Sequence, residues 1–123
     1  MNNNIIPTPL NVEEGLRDKS FRIAFKMQLF KGFEEEYKTR HNAIWPELQK
    51  LLKDSDISEY SIFLDESTNS LFGVLKAADP KLLDKLPELD LMKRWWKYMA
   101  DIMETNADYS PVSIPLKEVF YLP

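Results

Sequence analysis

Phe21, Ile23, Phe25, Met27 and Leu29 alternate with Arg22, Ala24, Lys26 and Gln28, a strict period of two over nine residues. Successive side chains of an extended chain point to opposite faces, so this stretch is a strand with one buried face. The remainder of the chain has to supply neighbouring strands and a cover for that face.

A turn at Lys31-Gly32 leads into a helical pattern of Phe33, Tyr37, His41, Ile44, Leu48, Leu51 and Leu52. Pro46 has no backbone N–H and disfavours helical geometry at Trp45, so this helix kinks or ends between Asn42 and Trp45. Pro46-Glu47 then resembles the opening turn of a second helical segment, with Glu47 as a candidate cap. Tyr60 opens a second strand that runs to Leu64. The turn-rich Asp65 to Ser70 and the strand Leu71 to Leu75 complete a hairpin. A second helical region spans Pro80 to Met103, broken by Pro87, with an apolar stripe of Leu91, Trp95, Tyr98, Met99 and Ile102. After a loop from Asn106 to Pro115, Leu116 to Leu122 forms the last strand.

The order strand, helix, strand, strand, helix, strand is that of a ferredoxin-like α+β sandwich, a four-stranded antiparallel sheet with both helices on one face. The other face needs cover. Two such sheets packed face to face supply it, which predicts a homodimer built as a dimeric α/β barrel. The polar residues 1–20, with Pro7 and Pro9, read as an N-terminal extension, and residues 21–123 as the single domain.

Composition narrows the chemistry. The net charge of -4, with scattered basic residues, leaves no footprint for nucleic acid. No apolar run approaches the roughly 18 residues that span a membrane, and without a signal peptide the expected compartment is the cytoplasm. Zero cysteines exclude disulfides, thiolate metal sites and cysteine nucleophiles, and a single histidine excludes a multi-histidine metal site within one chain. Acid–base, hydroxyl, carboxylate and lysine chemistry remain.

That one histidine, His41, follows Tyr37 by four residues, the spacing that stacks two side chains on one helix face. Histidine is also the side chain whose ordinary pKa lies near neutrality. The pair forms a candidate proton-transfer site at an irregular helix end. Trp95 and Trp96 point about 100° apart on a helix, so both cannot be central in one core stripe. Either one ring is a core anchor and the other part-exposed, or at least one walls a pocket, where an indole face and its N–H suit a sugar. Tyr60 is either a core filler or a ligand contact. Glu34-Glu35-Glu36 reads as a solvated helix face, and Met27 and Met99 read as core.

Three blocks, EEYKTRHNAIWPEL (Glu35 to Leu48), RWWKYMADIM (Arg94 to Met103) and SPVSIPLKEVFYLP (Ser110 to Pro123), resemble the L-rhamnose mutarotases, small sugar epimerases that act at the anomeric carbon. The resemblance covers Phe21 to Pro123. It implies a dimeric ferredoxin-like fold and cofactor-free interconversion of the α and β anomers of L-rhamnose. It also implies that His41 is the general acid, that Tyr37 and Tyr60 bind the sugar, and that Trp95 and Trp96 form the tryptophan pair. Two departures stand out. Residues 1–20 exceed the family's usual start, and Ala43 stands where proline is common, which would soften the helix break.

Mutarotation opens the pyranose by protonating the ring oxygen and removing the anomeric hydroxyl proton, without redox cofactor, metal or covalent intermediate. One placed acid–base group supplies roughly 10²–10⁴-fold, enough for a reaction that already proceeds in water. His41 protonates the ring oxygen in this scheme, and the base is Tyr37 or a water. Two rival readings are a haem-binding dimeric-barrel monooxygenase, with His41 as axial ligand, and a sugar-binding module without catalysis.

Overall fold

The computed structural model describes residues 20–123, so the expected N-terminal extension lies, but for Ser20, outside the described residues. Strand β1 (Phe21–Gln28) pairs antiparallel with β3 (Ser70–Ala77) from Phe21 opposite Ala77 to Gln28 opposite Ser70. Strand β2 (Ile57–Asp65) flanks β3, and the three-residue β4 (Ile114–Leu116) flanks β1. The spatial order β2-β3-β1-β4, antiparallel throughout, is the expected ferredoxin-like sheet.

Both helical regions are broken where proline intervenes. The first comprises α1 (Glu34–Asn42) and α2 (Pro46–Asp54), with Pro46 in the opening turn. Its break persists with alanine at position 43. The Ala43 N–H donates to the Thr39 carbonyl at 3.1 Å, a bond proline cannot make, and the helix still ends there. The second region comprises α3 (Pro80–Lys85), a 3₁₀ turn at Leu86–Glu88 containing Pro87, and α4 (Asp90–Met99). No helix among the described residues is long and apolar enough to cross a membrane.

The core lies between the sheet and these helices. Met27 and Leu29, with Leu71, Leu75 and Ala77, meet Tyr37, Leu48, Met92, Trp95 and Met99. Phe21, Ile23 and Phe25 pack against the same core, as the alternation in β1 requires. Gly73 sits opposite Phe25, and a Cβ there would come within 2.4 Å of the Phe25 ring, so the glycine makes room for the aromatic. The outer sheet face carries Phe63, 63% exposed and paired with Phe72, and Ile114, 55% exposed and paired with Lys26.

The structure corrects several expected details. Strand β2 starts at Ile57, so Tyr60 lies inside it rather than opening it. Ser58 pairs with Lys76 and Ser61 with Val74, which leaves Glu59 and Tyr60 opposite Leu75 alone, a β-bulge. Glu59 takes a left-handed φ of 50°. The bulge lets buried Ile57 and Tyr60, three residues apart, both face the helices; in a regular strand an odd separation places them on opposite faces.

The last strand is Ile114–Leu116, not Leu116 to Leu122. As an edge strand it tolerates Pro115, whose missing N–H would break an interior ladder. The tail beyond it is exposed and tied to β1 by Arg22, which pairs with Glu118 at 2.8 Å and stacks its guanidinium 3.2 Å from the Tyr121 ring.

Helix α4 ends at Met99, and its buried side chains are Met92, Trp95 and Met99, whereas Tyr98 is 44% exposed. Ile102 and Met103 are buried by the segment that follows, where the Phe30 N–H donates to the Ile102 carbonyl and the Glu104 N–H to that of Gln28. Trp45, not Glu47, occupies the cap position of α2, and its side chain makes no capping bond. Glu34 leaves the solvated run, accepting from the Asn69 amide at 2.7 Å and the Gly32 N–H at 3.1 Å.

Candidate active site

Helix α1 is too polar to dock through an apolar stripe, and Tyr37 is its one buried residue. Its position is fixed at Arg40. That side chain donates to Glu36 at 2.8 Å, to the Tyr98 carbonyl at the end of α4 at 2.8 Å, and to both oxygens of Asp101 at 2.9 and 3.2 Å. A cation on the last carbonyls of a helix also meets the negative end of its dipole. The Arg40 bonds hold the Asp101 carboxyl below its ordinary pKa. Helix α1 is thereby clamped to α4 beside its next residue, His41.

A cavity of about 70 Å³ opens between these helices and the sheet. It is lined by Tyr37 and His41 of α1, Tyr60 of β2, and Trp95 and Trp96 of α4, so all five residues singled out from the sequence border one volume. A broader groove of about 350 Å³ along α2 is lined by Pro46, Gln49, Lys50, Lys53 and Asp54. It offers a solvated face with a Lys50–Asp54 ion pair and no convergent acid–base group.

The imidazole of His41 stacks on the Tyr37 ring with centroids 4.3 Å apart and 26° between planes. The edge-on Trp95 indole lies 5.5 Å away at 89°. Trp95 is itself braced by Trp45 at 5.0 Å and Tyr98 at 5.5 Å. Of the tryptophan pair, Trp95 is thus a core anchor, 5% exposed, and Trp96 is half-buried, and both reach the cavity. Met27 and Met99 serve as core and also border the cavity.

Burial sets the protonation of all three titratable lining groups. It lowers the His41 pKa below 6.5, against a smaller upward push from the hydrogen bond to the Tyr37 carbonyl. Burial raises the Tyr37 phenol, and the neighbouring Tyr60 adds to the rise. Tyr60 is pushed up to about 12. Tyr60 is 40% exposed as a residue, while desolvation of its hydroxyl is what raises its pKa. At neutral pH the cavity therefore presents an uncharged imidazole and two intact phenols.

A family model described as L-rhamnose mutarotase matches residues 22–122. The chain belongs to the L-rhamnose mutarotase family. It is 54% identical over 101 residues to an L-rhamnose mutarotase of Formosa agariphila and 55% identical over 101 residues to one of Sinorhizobium fredii, in each case across 82% of this chain and 97% of the relative. The crystal structure of the L-rhamnose mutarotase from Formosa agariphila matches with a TM-score of 0.78 at 53% identity, covering 84% of this chain and 99% of that one. A conserved protein from Methanosarcina mazei, 13% identical with a TM-score of 0.59, shares the fold alone.

Within this L-rhamnose mutarotase family member, the cavity has further walls that the pattern of the sequence did not single out. Ile62 continues the inward face of β2 past Tyr60, a placement its alternation with Tyr60 and Leu64 already contained. Met92 enters one helical turn before Trp95 and Trp96, and Met103 and Pro111 come from the segment after α4. Pro111 is placed by a bridge to Thr105 across the loop, a pairing with no local signature.

Proposed function

We propose that the protein interconverts the α and β anomers of L-rhamnose by acid–base opening and closure of the pyranose ring. His41 delivers the proton to the ring oxygen, Tyr37 and Tyr60 hold sugar hydroxyls, and Trp95 and Trp96 wall the pocket. The observation that carries the reading is that the chain's one histidine, two protonated phenols and two indoles border a single cavity in a member of this family. Indole and methionine walls match the C–H patches of a deoxy sugar, and the phenols match its hydroxyls. Saturation-transfer NMR between the α and β anomeric protons of L-rhamnose tests it. Added protein is expected to accelerate exchange above the spontaneous rate, and an unchanged rate refutes the proposal.

The same proposal assigns a cytoplasmic homodimer. Support for the dimer comes from the outer sheet face, where Phe63, Ile114 and Leu116 are exposed, together with Val119, Phe120 and Leu122 of the tail, each at least 77% exposed. Exposed large apolar side chains gathered on one face and its neighbouring tail mark an interaction site.

A further inference from the structure

The hydrogen bond that holds His41 has only one possible direction. The Tyr37 carbonyl can only accept, so the His41 Nδ1, 3.1 Å away, carries the hydrogen. In the neutral ring Nε2 then bears a lone pair and no hydrogen. Stacking on Tyr37 and the edge of Trp95 hold the ring in this setting.

The side chains that line the cavity with His41 are uncharged among the described residues. Its own helix offers Tyr37, β2 offers Tyr60, and α4 and β1 offer indoles and thioethers. The cation next to it in the chain, Arg40, is turned to Glu36 and Asp101. Among the described residues, no carboxylate or amine lines the cavity. Among the described residues that border it, Nε2 is therefore the single neutral-range proton acceptor, and the phenols are protonated.

Resting on the mutarotase reading, we infer that His41 Nε2 is the base as well as the acid of ring opening, removing the proton of the anomeric hydroxyl and returning it to the ring oxygen. The O–H bond of the anomeric hydroxyl breaks, and its electron pair becomes the second bond of the new C1 carbonyl. The bond from C1 to the ring oxygen breaks with its pair going to that oxygen, which then takes the proton from Nε2. The net change is one proton moved between two oxygens, an open aldehyde and a neutral imidazole. Both oxygens are bonded to C1, so one nitrogen serves both without crossing the pocket. Closure after rotation about C1–C2 is the same sequence reversed, and it needs no second base.

A single histidine makes the test clean, because protein labelled with ¹⁵N-histidine shows one ring. At pH 7 the free enzyme is expected to show a protonated Nδ1 and a bare Nε2. The catalysed exchange rate, corrected for background, is expected to follow the neutral fraction. It rises about tenfold per pH unit below the imidazole's titration and levels off above it. An imidazolium at pH 7, an Nε2–H tautomer, or a rate that falls as the imidazole deprotonates overturns the inference while leaving a working mutarotase. Absence of catalysed exchange at every pH overturns the mutarotase reading and this inference with it.

Discussion

The His41 imidazole lies flat against the Tyr37 ring, 4.3 Å between centroids, while its Nδ1 donates to the Tyr37 carbonyl at 3.1 Å. One residue therefore sets the position, tautomer and solvation of the other. The four-residue spacing produces the stack, and the helix backbone supplies the acceptor. Burial beneath Trp95 then keeps the ring neutral.

The two adjacent tryptophans are expected to respond differently to truncation. Trp95 is buried against His41, Trp45 and Tyr98, so Trp95→Ala should cost about 3–5 kcal/mol of stability. Trp96 is half-buried, and Trp96→Ala should stay folded while weakening rhamnose binding. Thermal unfolding and rhamnose titration of intrinsic fluorescence measure both. A folded Trp96→Ala that binds as wild type does removes that indole from the pocket.

Glu59 is the extra residue of the β2 bulge, in a left-handed conformation that glycine adopts without strain. Its Lys76 contact is long, at 3.6 Å, and solvated. Glu59→Gly should match or exceed wild type in thermal stability, whereas Glu59→Val should lose about 1–3 kcal/mol. Deleting Glu59 should be worse than either, because Ile57 and Tyr60 can no longer both face the helices. Wild-type stability in the deletion variant would show that the bulge does not set that register.

The bulge also shows where the sequence was legible and where it was not. Alternation in β1, the Pro46 and Pro87 breaks and the element order were visible because each is a local, short-period signal. Ile57 carries no such signal, because a bulge erases the period of two that would tie it to Tyr60. Sequence alone starts the last strand too late because Pro115 argues against a strand, except at an edge, and edges are a property of the assembled sheet. The stripe read from sequence includes Tyr98 and omits Met92 because it takes Ile102 as part of the helix, whereas the helix stops at Met99 and Ile102 is no guide to its inward direction. The five site residues were individually nameable, but the walls from Met103 and Pro111 depend on a loop returning across the sheet end.

Stability is expected to fall on mild acidification. The folded His41 pKa is below the unfolded value of about 6.5, so between the two the unfolded chain binds more protons. The stabilisation is complete above about pH 6.5 and is lost as pH falls through the folded value. The unfolding midpoint of the wild type should decline in that window, and that of His41→Gln should hold until the carboxylates titrate near pH 4. Parallel declines would mean that His41 is not desolvated.

The apolar outer sheet face and tail predict association. Light scattering at micromolar concentration should give twice the 14.5 kDa chain mass. Introducing a charge with Ile114→Lys should shift the protein towards monomer. A wild-type monomer would refute the dimer.

The decisive measurement is anomer exchange of L-rhamnose by saturation transfer with wild type and His41→Ala, each sample checked by thermal unfolding. His41→Ala should remain folded and lose on the order of 10²–10⁴ of the catalysed rate after the spontaneous background is subtracted. A folded His41→Ala that exchanges the anomers at the wild-type rate would contradict the assignment of His41 as the proton-transfer group.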